Sequence, residues 1–274
     1  MEPRALDLSN PAMVRLACRQ NRLPIYPSQT LTGYLCVNVV MMNRDYACEF
    51  RAFCHANPAS CPLLEMLLPG EFSAPKYAVN LDIRTDLRSY DVIQYGVKSE
   101  SVTSVEAVFT PETVTFLIGS SVSLDGYLAE QGLGSLWGPC IYLTNRDCKT
   151  VGRFQGKMAV TMRAYSPRIA DKVADVTSHF PACHGGPIAR NDPASLGIVD
   201  ERNPYFPWVD GEFPGAGLDK LYWPCGITPS LVAKAARIPL MVVHTPGNAL
   251  ITDIRTASLY DRFEIVSGAS DGAA

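Results

Sequence analysis

The sequence predicts an α/β protein in which mixed sheets and helices pack in layers as two closely packed subdomains. Segments rich in Val, Ile, Leu and Tyr alternate with amphipathic segments at helical spacing. The chain has 274 residues, of which 47% are hydrophobic and 19% charged, so it can bury a sizeable core. Because the helical segments are short and unevenly spaced, a regular doubly wound sheet is not expected.

The first part of the chain predicts two helices on either side of a buried strand. Asn10 and Pro11 suit the start of a helix over 11–20, since Asn caps helices and Pro is tolerated in their first turn. Residues 31–42 form a long apolar run that is typical of a buried strand. Asn43 can then cap a second helix, in which apolar residues recur at helical spacing.

The middle of the chain predicts strands over 79–83, 90–95 and 113–118. The last of these runs into a small polar turn, after which Ser123 can cap a helix that begins at Leu124. A turn from a strand into a helix presents free backbone N–H groups and the positive end of a helix dipole. It therefore suits the anionic group of a ligand.

The second half of the chain contains a long segment with many Pro, Gly, Asn and Asp residues, which predicts a functional loop over 181–217. The regular elements predicted around it are strands over 157–163 and 238–244 and helices over 169–176 and 230–237. We expect an N-terminal α/β part over 1–140, a C-terminal α/β part over 141–266 that carries the long loop, and a flexible tail over 267–274.

Composition argues against several classes of partner. The formal net charge is −3 and no run of Lys and Arg occurs, so neither nucleic acid nor a membrane surface is an expected partner. The N-terminus does not resemble a secretory signal, and the apolar runs are too short to span a bilayer. Nine cysteines without a CxxC pair predict reduced, mostly buried thiols in a cytoplasmic protein.

The familiar cofactor motifs do not occur in the sequence. There is no GxGxxG after a strand, no GxxxxGK[ST], no GxSxG and no HExxH. His179, Cys183 and His184 form the one His/Cys cluster, and their spacing matches no common metal site. We therefore predict neither a cofactor nor a metal.

Several strings, in their order and spacing, resemble the hydro-lyase family that contains the D-glutamate cyclases. The resemblance extends from about Gly33 to Asp253. The strings that carry it are Asn57-Pro58, Cys61-Pro62-Leu63-Leu64-Glu65, Asp82-Ile83-Arg84-Thr85-Asp86-Leu87, Phe116-Leu117-Ile118-Gly119, Met162-Arg163, His184-Gly185, Asp192-Pro193, Cys225-Gly226-Ile227-Thr228-Pro229 and His244-Thr245-Pro246-Gly247.

The chain departs from the family pattern at polar positions. Leu143 stands where the family usually has Arg in Tyr-Arg-Thr-Asn, and Asn248 stands where it has the last His of His-x-Pro-Gly-His. The polar stretch after Gly119 is changed as well, and a His expected before Asp192-Pro193 has no counterpart. The resemblance thus indicates a diverged member with an altered substrate or an altered reaction.

The resemblance implies a cofactor-independent lyase that acts on a small amino- or hydroxy-carboxylate, either a hydro-lyase or a lactam-forming cyclase. The best-defined reaction of the family converts D-glutamate to 5-oxo-D-proline with loss of water. A specialised biosynthetic pathway is the expected setting, and a homodimer is expected because symmetric dimers are common. Two alternatives remain open: a hydrolase or isomerase on the same scaffold, and a non-catalytic binding protein.

The candidate catalytic residues are His184, His244, Asp200 and Cys225. His184 opens a Gly-Gly-Pro turn and is the first choice for a general base, with His244 as its acid partner, because imidazoles titrate near neutrality. Asp200 can orient a histidine or simply cap a turn. Cys225 can have a lowered pKa ahead of a helix, or be a small buried residue.

The candidate substrate-binding residues supply a cation, a hydroxyl or an amide to a carboxylate. Arg84 can clamp the substrate or form a structural ion pair with its neighbouring acids, and the same alternatives hold for Arg163. The others are Asn38, Asp86, Ser120, Ser121, Thr144 and Asn145. The serines can equally be ordinary helix caps.

Overall fold

A computed structural model describes residues 8–207, 213–215 and 217–261, and those residues form short helices and two sheets, which confirms the predicted α/β class. The helices are α1 (Pro11–Arg19), α2 (Pro27–Thr30), α3 (Arg44–Ala56), α4 (Ser123–Glu130), α5 (Pro167–Ser178) and α6 (Thr228–Ala235). The strands are β1 (Tyr34–Asn43), β2 (Leu63–Met66), β3 (Tyr90–Gln94), β4 (Val97–Val102), β5 (Thr113–Gly119), β6 (Trp137–Asp147), β7 (Lys157–Tyr165), β8 (Ala189–Arg190), β9 (Phe206–Pro207), β10 (Asp219–Pro224), β11 (Met241–His244) and β12 (Leu250–Arg255).

Both sheets are antiparallel throughout their described pairings. The first has the strand order β2-β5-β1-β11-β3-β4, with β12 beside the other end of β1. The second has the order β8-β10-β7-β6-β9. The chain passes from the first sheet into the second near Gly138, and β11 and β12 then return to the first. The division into parts over 1–140 and 141–266 remains a prediction.

Strand β1 is buried on both faces, which explains why its interior residues are apolar apart from Asn38. Successive side chains of a strand point to opposite faces. Val39 and Met41 accordingly belong to a core shared with α4, α5 and the second sheet. Val40 and Met42 belong to a core that includes α3 and α6. The first sheet therefore lies between two hydrophobic layers.

Most of the elements predicted from the sequence occur within a few residues of their expected bounds. Helix α4 begins at Ser123 rather than Leu124, and the Ser123 hydroxyl does not cap it. That hydroxyl instead accepts from the Cys36 backbone N–H at 2.9 Å. The described residues of the segment 181–217 are largely irregular, as predicted, but contribute the short strands β8 and β9. The expected tail over 267–274 lies outside the described residues.

The strand predicted over 79–83 is wrong, because these residues form turns whose backbone groups bond to side chains. The Val79 N–H donates to Asp253 at 2.8 Å, and its carbonyl accepts from Arg15 at 3.3 Å. The Asp82 N–H donates to Asp86 at 3.0 Å. Because these backbone groups already have partners, they are not available for the hydrogen bonds that a neighbouring strand would need.

The cysteines are free thiols, and all but Cys48 are buried, as expected of small apolar residues in a core. Among the described residues, no helix combines the length and the hydropathy of a membrane span.

One buried charge ties helix α1 to strand β12. Arg15 is only 2% exposed, and its guanidinium donates to the Asp253 carboxylate at 2.8 Å and to the Ile251 carbonyl at 3.1 Å. A buried guanidinium is tolerated only while it is paired and hydrogen-bonded.

Asp253→Ala is therefore expected to lower the free energy of unfolding by about 3 kcal/mol, because it leaves Arg15 buried without its counter-charge. Urea titration at neutral pH measures the change. Asp171→Ala is the matched control, since it removes a carboxylate from the exposed Arg190 pair and should cost less than about 1 kcal/mol. Equal losses in the two variants would contradict the assignment.

Candidate active site

A small pocket lies where the two sheets meet. The first sheet contributes Asn38 from β1 and His244 from the end of β11, and the second contributes Thr161 from β7. The turn from β5 into α4 and the turn from β10 into α6 close its ends. The pocket has about 370 Å³ of space, part of it open to solvent. Five of the residues proposed from the sequence line it: Asn38, Ser120, Ser121, Cys225 and His244.

The floor of the pocket depends on the absence of a side chain at Gly226. A Cβ at this position would lie 1.9 Å from Asn38 Nδ2 and 3.2 Å from His184 Nε2. The Asn38 amide also donates to the Gly119 carbonyl at 2.8 Å. Asn38 thereby joins the end of β5 to the turn before α6, and its amide oxygen remains available to accept from a ligand.

His184 lies directly behind this floor and is only 3% exposed. It follows the turn Pro181–Cys183 in a left-handed conformation with φ 80°. Its Nδ1 lies 2.9 Å from the Ala59 carbonyl, which can only accept, so the neutral ring carries its proton on Nδ1. Nε2 is buried and makes no hydrogen bond of normal geometry among the described residues, although the backbone carbonyl of Gly119 lies close enough to the ring to raise its pKa.

His244 presents the opposite arrangement. Its Nδ1 lies 3.2 Å from the Val39 N–H, whereas the Val39 carbonyl is more distant at 3.5 Å. The backbone N–H donates to Nδ1, so the neutral ring carries its proton on Nε2. The two late histidines thus differ in tautomer: His184 has an accepting Nε2, and His244 has a donating one.

Burial keeps both rings neutral. It lowers the pKa of His184 to about 4, an effect that the charge of Arg163 adds to and the Ala59 carbonyl opposes. Burial likewise lowers the pKa of His244 to about 4, against the opposing contributions of the Val39 carbonyl and the charge of Asp91. Near neutral pH each imidazole is therefore uncharged, with one ring nitrogen that carries a proton and one that can accept a proton.

A guanidinium lies behind the serine turn. Arg163 is buried, its Nη atoms are 3.4 Å from the Ser121 hydroxyl, and its Nε is 2.6 Å from Asp125 on α4. Burial opposes the charge most strongly, but the Asp125 carboxylate more than offsets this and raises the pKa of Arg163. Ser121 is therefore polarised by a permanently charged ion pair.

Cys225 faces the pocket as a protonated thiol. Burial raises the pKa of Cys225, although the Thr161 hydroxyl, the Ile227 N–H and the charge of Arg163 oppose it. Of the two alternatives that the sequence left open for Cys225, the structure has the small buried residue, because desolvation outweighs these stabilising contacts. Cys225 can donate a weak hydrogen bond here, whereas a thiolate would be disfavoured.

The structure places Arg84 and Asp86 outside the lining of this pocket. Arg84 pairs with Asp82 at 2.7 Å and stacks over Phe72 at 3.8 Å from the ring centroid. Asp86 is buried and pairs with Arg19 at 2.7 Å. Both residues therefore form structural ion pairs, which is the alternative to substrate binding that the sequence also allowed.

Three further predicted residues also lie elsewhere. The Thr144 hydroxyl donates to the Met158 carbonyl at 2.7 Å, and Asn145 packs against Gly197. Asp200 is exposed and accepts from the Arg202 N–H at 2.9 Å, which is the turn-capping role, and it contacts neither histidine.

Sequence reasoning missed pocket residues that carry no motif of their own. Thr161 lies inside an apolar strand, and Ile141 has no polar group that would indicate a site. The sequence did contain a signal for Asp125, because it is an acidic residue in the first turn of α4, just after the serine turn. Within the described chain, no group of three or more His, Cys, Asp or Glu side chains is placed to hold a metal ion.

Comparison with known proteins gives one consistent family. The model of the D-glutamate cyclase family matches residues 114–253. A protein from Staphylococcus carnosus named “Putative hydro-lyase” is 36% identical over 266 residues, which cover 93% of this chain and 99% of that protein. The Bacillus subtilis protein YcsI, named in the same way, is 35% identical over 91% of this chain and 98% of its own length.

One solved structure aligns only distantly. It is a nitrogen repressor-like protein of Methanococcus jannaschii, with a TM-score of 0.38 and 10% identity over 84% of this chain and 92% of that one. A likeness at this level carries no argument about fold or function.

His184→Asn is expected to make folding less sensitive to acid. The pKa of His184 is about 4 in the folded chain and about 6.5 in the unfolded chain. Between these values the unfolded chain binds more protons, so the stability present above about pH 6.5 is lost as the pH falls towards 4. From about pH 7 to about pH 5 the native chain should lose about 2 kcal/mol that the variant keeps.

Urea titrations at the two pH values measure this difference. Asn tolerates the left-handed backbone at this position, so the variant should fold. His55→Asn, on the exposed face of α3, is the control and should retain the full acid sensitivity of the native chain. An unchanged pH dependence in His184→Asn would show that the ring is not buried in its neutral form.

Gly226→Ala is expected to lower the free energy of unfolding by about 1–3 kcal/mol, because the added methyl must displace the Asn38 amide. Asn38→Ala in the same chain should restore part of that loss by making room, and a double-mutant cycle in urea measures the coupling. Gly134→Ala is the control, since its Cβ would meet nothing closer than 3.6 Å. Strict additivity of the two site changes would contradict the close approach.

Proposed function

The chain belongs to the D-glutamate cyclase family, and we propose that it is a lyase that removes water from a small amino- or hydroxy-carboxylate through its own side chains. The observation that carries the proposal is the pair of neutral imidazoles of opposite tautomer, which are both neighbours of Asn38. Loss of water requires one group that takes a proton and another that gives one.

In this proposal His184 is the base. Its Nε2 is directed to the Gly226 floor, and the Ala59 carbonyl fixes the ring so that the lone pair keeps this direction. A histidine of low pKa is a weak base in water. A substrate that fills the pocket excludes water and shortens the path of its proton to His184. His244 is the donor, because it lines the pocket and its Nε2 carries the proton.

The serine turn is the proposed anchor for the carboxylate. Ser120 and Ser121 line the pocket at the start of α4, where the positive end of the helix dipole favours an anion. The Arg163 ion pair behind Ser121 supports that hydroxyl. Asn38 and Thr161 supply further hydrogen bonds that orient the substrate between His244 and the Gly226 floor, behind which His184 lies.

Two balanced reactions fit this arrangement. In an elimination, His184 takes a proton from carbon, the C–O bond breaks, and the departing hydroxyl takes a proton from His244 to leave as water. The proton held by His184 then returns to His244. In a lactam closure, an ammonium loses one proton to His184, and the resulting amine attacks the side-chain carboxylate carbon. The C–O bond then breaks, and the oxygen leaves as water with one proton from His244 and one from His184, while the second proton lost by the nitrogen replaces the one that His244 gave. The specialised biosynthetic role, the cytoplasmic location and the homodimer expected from the sequence remain part of the proposal.

The test is to incubate the full chain with D-glutamate and with a panel of small hydroxy-carboxylates, and to search by mass spectrometry for a product lighter by one water. His184→Asn and His244→Gln should each lower kcat about 10²–10⁴-fold. His55→Asn should leave turnover unchanged, because that ring is exposed on α3. Loss of water from no member of the panel would overturn the proposed reaction, and full turnover in both histidine variants would overturn the acid–base roles.

A further inference from the structure

A second and larger cleft lies at the other end of β1. It has about 820 Å³ of space, more than twice that of the candidate active site, and its lining contains none of the residues that line that site. Met42 is four residues beyond Asn38, so the two sites are about 13 Å apart along the strand. Three separate segments form its walls: the junction of β1 and α3, the turn over 105–113, and the start of β11.

The walls are apolar and adaptable. Met41 lies in the same hydrophobic core as the lining residues Val108, Phe109 and Leu240. Methionine side chains are flexible and polarisable, so they fit ligands of varied shape. A concave apolar lining with a few polar groups at its edge is typical of a small-molecule site.

The rim carries one unneutralised charge. Asp45 lines the cleft, and the structure gives its carboxylate no salt bridge among the described residues. The adjacent Arg44 is paired with Glu112, and Arg153 is paired with Glu49. The rings of Phe109 and Tyr46 also line the cleft, but each already has a guanidinium over it, Arg84 at 5.9 Å and Arg153 at 4.7 Å from the ring centroid. The attraction for the ammonium of a ligand therefore comes from Asp45.

We propose that this cleft binds a small apolar amine, with its hydrocarbon body on Met41, Phe109 and Leu240 and its ammonium beside Asp45. The ligand class follows from shape and charge together: the walls select an apolar body, and the rim selects a positive charge over a negative one. The site is independent of the proposed lyase activity, so it can hold a ligand whether or not that activity exists.

The experiment uses three probes of one shape and different charge: phenethylamine, 2-phenylethanol and 3-phenylpropanoate. Isothermal titration of the full chain measures saturable binding of each. Phenethylamine should bind most tightly. The affinity for 3-phenylpropanoate should be lower by about 10-fold or more, because Asp45 repels its carboxylate but attracts the ammonium of phenethylamine. Asp45→Asn should weaken phenethylamine binding about 3–5-fold and leave 2-phenylethanol unchanged.

Occlusion supplies the second arm of the test. Val108→Trp fills the cleft and should abolish binding of all three probes. Val97→Trp, on the exposed face of β4, places the same ring outside the cleft and should leave binding intact. Asp175→Asn removes a charge from exposed α5 and is the matched control for Asp45→Asn. Thermal melts establish that each variant is folded.

Four outcomes would overturn the proposal: no saturable binding of phenethylamine, equal affinity for the three probes, an unchanged affinity in Asp45→Asn, or binding that persists in Val108→Trp. Light scattering is measured on the same samples. Self-association that Val108→Trp abolishes would assign the cleft to a second copy of the chain, which also overturns the proposal.

Discussion

The close approach of two sheets at a polar seam is the constraint on which the rest of the site depends. Asn38 is buried in the central strand, and a buried amide must find partners. It finds one in the Gly119 carbonyl, at the end of β5. It can reach this position only because Gly226 has no side chain. The same glycine brings the turn before α6 against His184, so that one small residue sets the spacing of an amide, an imidazole and a pocket floor.

A second glycine contributes to the same seam. A Cβ on Gly119 would lie 1.6 Å from the Ala182 carbonyl, so the turn that carries His184 can pack on β5 only at a glycine. The backbone of this turn is thus held by main-chain contact, and the Ala59 carbonyl then fixes the ring. The histidine most important to the proposed chemistry is positioned by backbone groups rather than by an acidic side chain.

The charged residues serve two different purposes. Asp82, Arg84 and Asp86 form a conspicuous acidic and basic string, and the structure engages them in local pairing that holds a turn against α1. Arg163 and Asp125 are far apart in sequence, and their ion pair joins the second sheet to α4 beside the pocket. Burial leaves both histidines uncharged, so the permanent charge near the pocket is this neutralised pair. That environment favours proton transfer between neutral groups, with the carboxylate of a substrate as the main charge to be accommodated.

The sequence by itself determined the α/β class, most helices and the long strands, because the 3.6-residue and two-residue apolar periods are local properties. It also identified Asn38, Ser120, Ser121, Cys225 and His244, all of which line one pocket. Short strands such as β8 and β9 could not be predicted, since only their partners define them. The tertiary structure alone decided that Arg84 belongs to a turn, that Thr161 faces the pocket, and that the two imidazoles have opposite tautomers. Each of these depends on which distant backbone or side-chain group lies nearby, and a one-dimensional pattern carries no such distances.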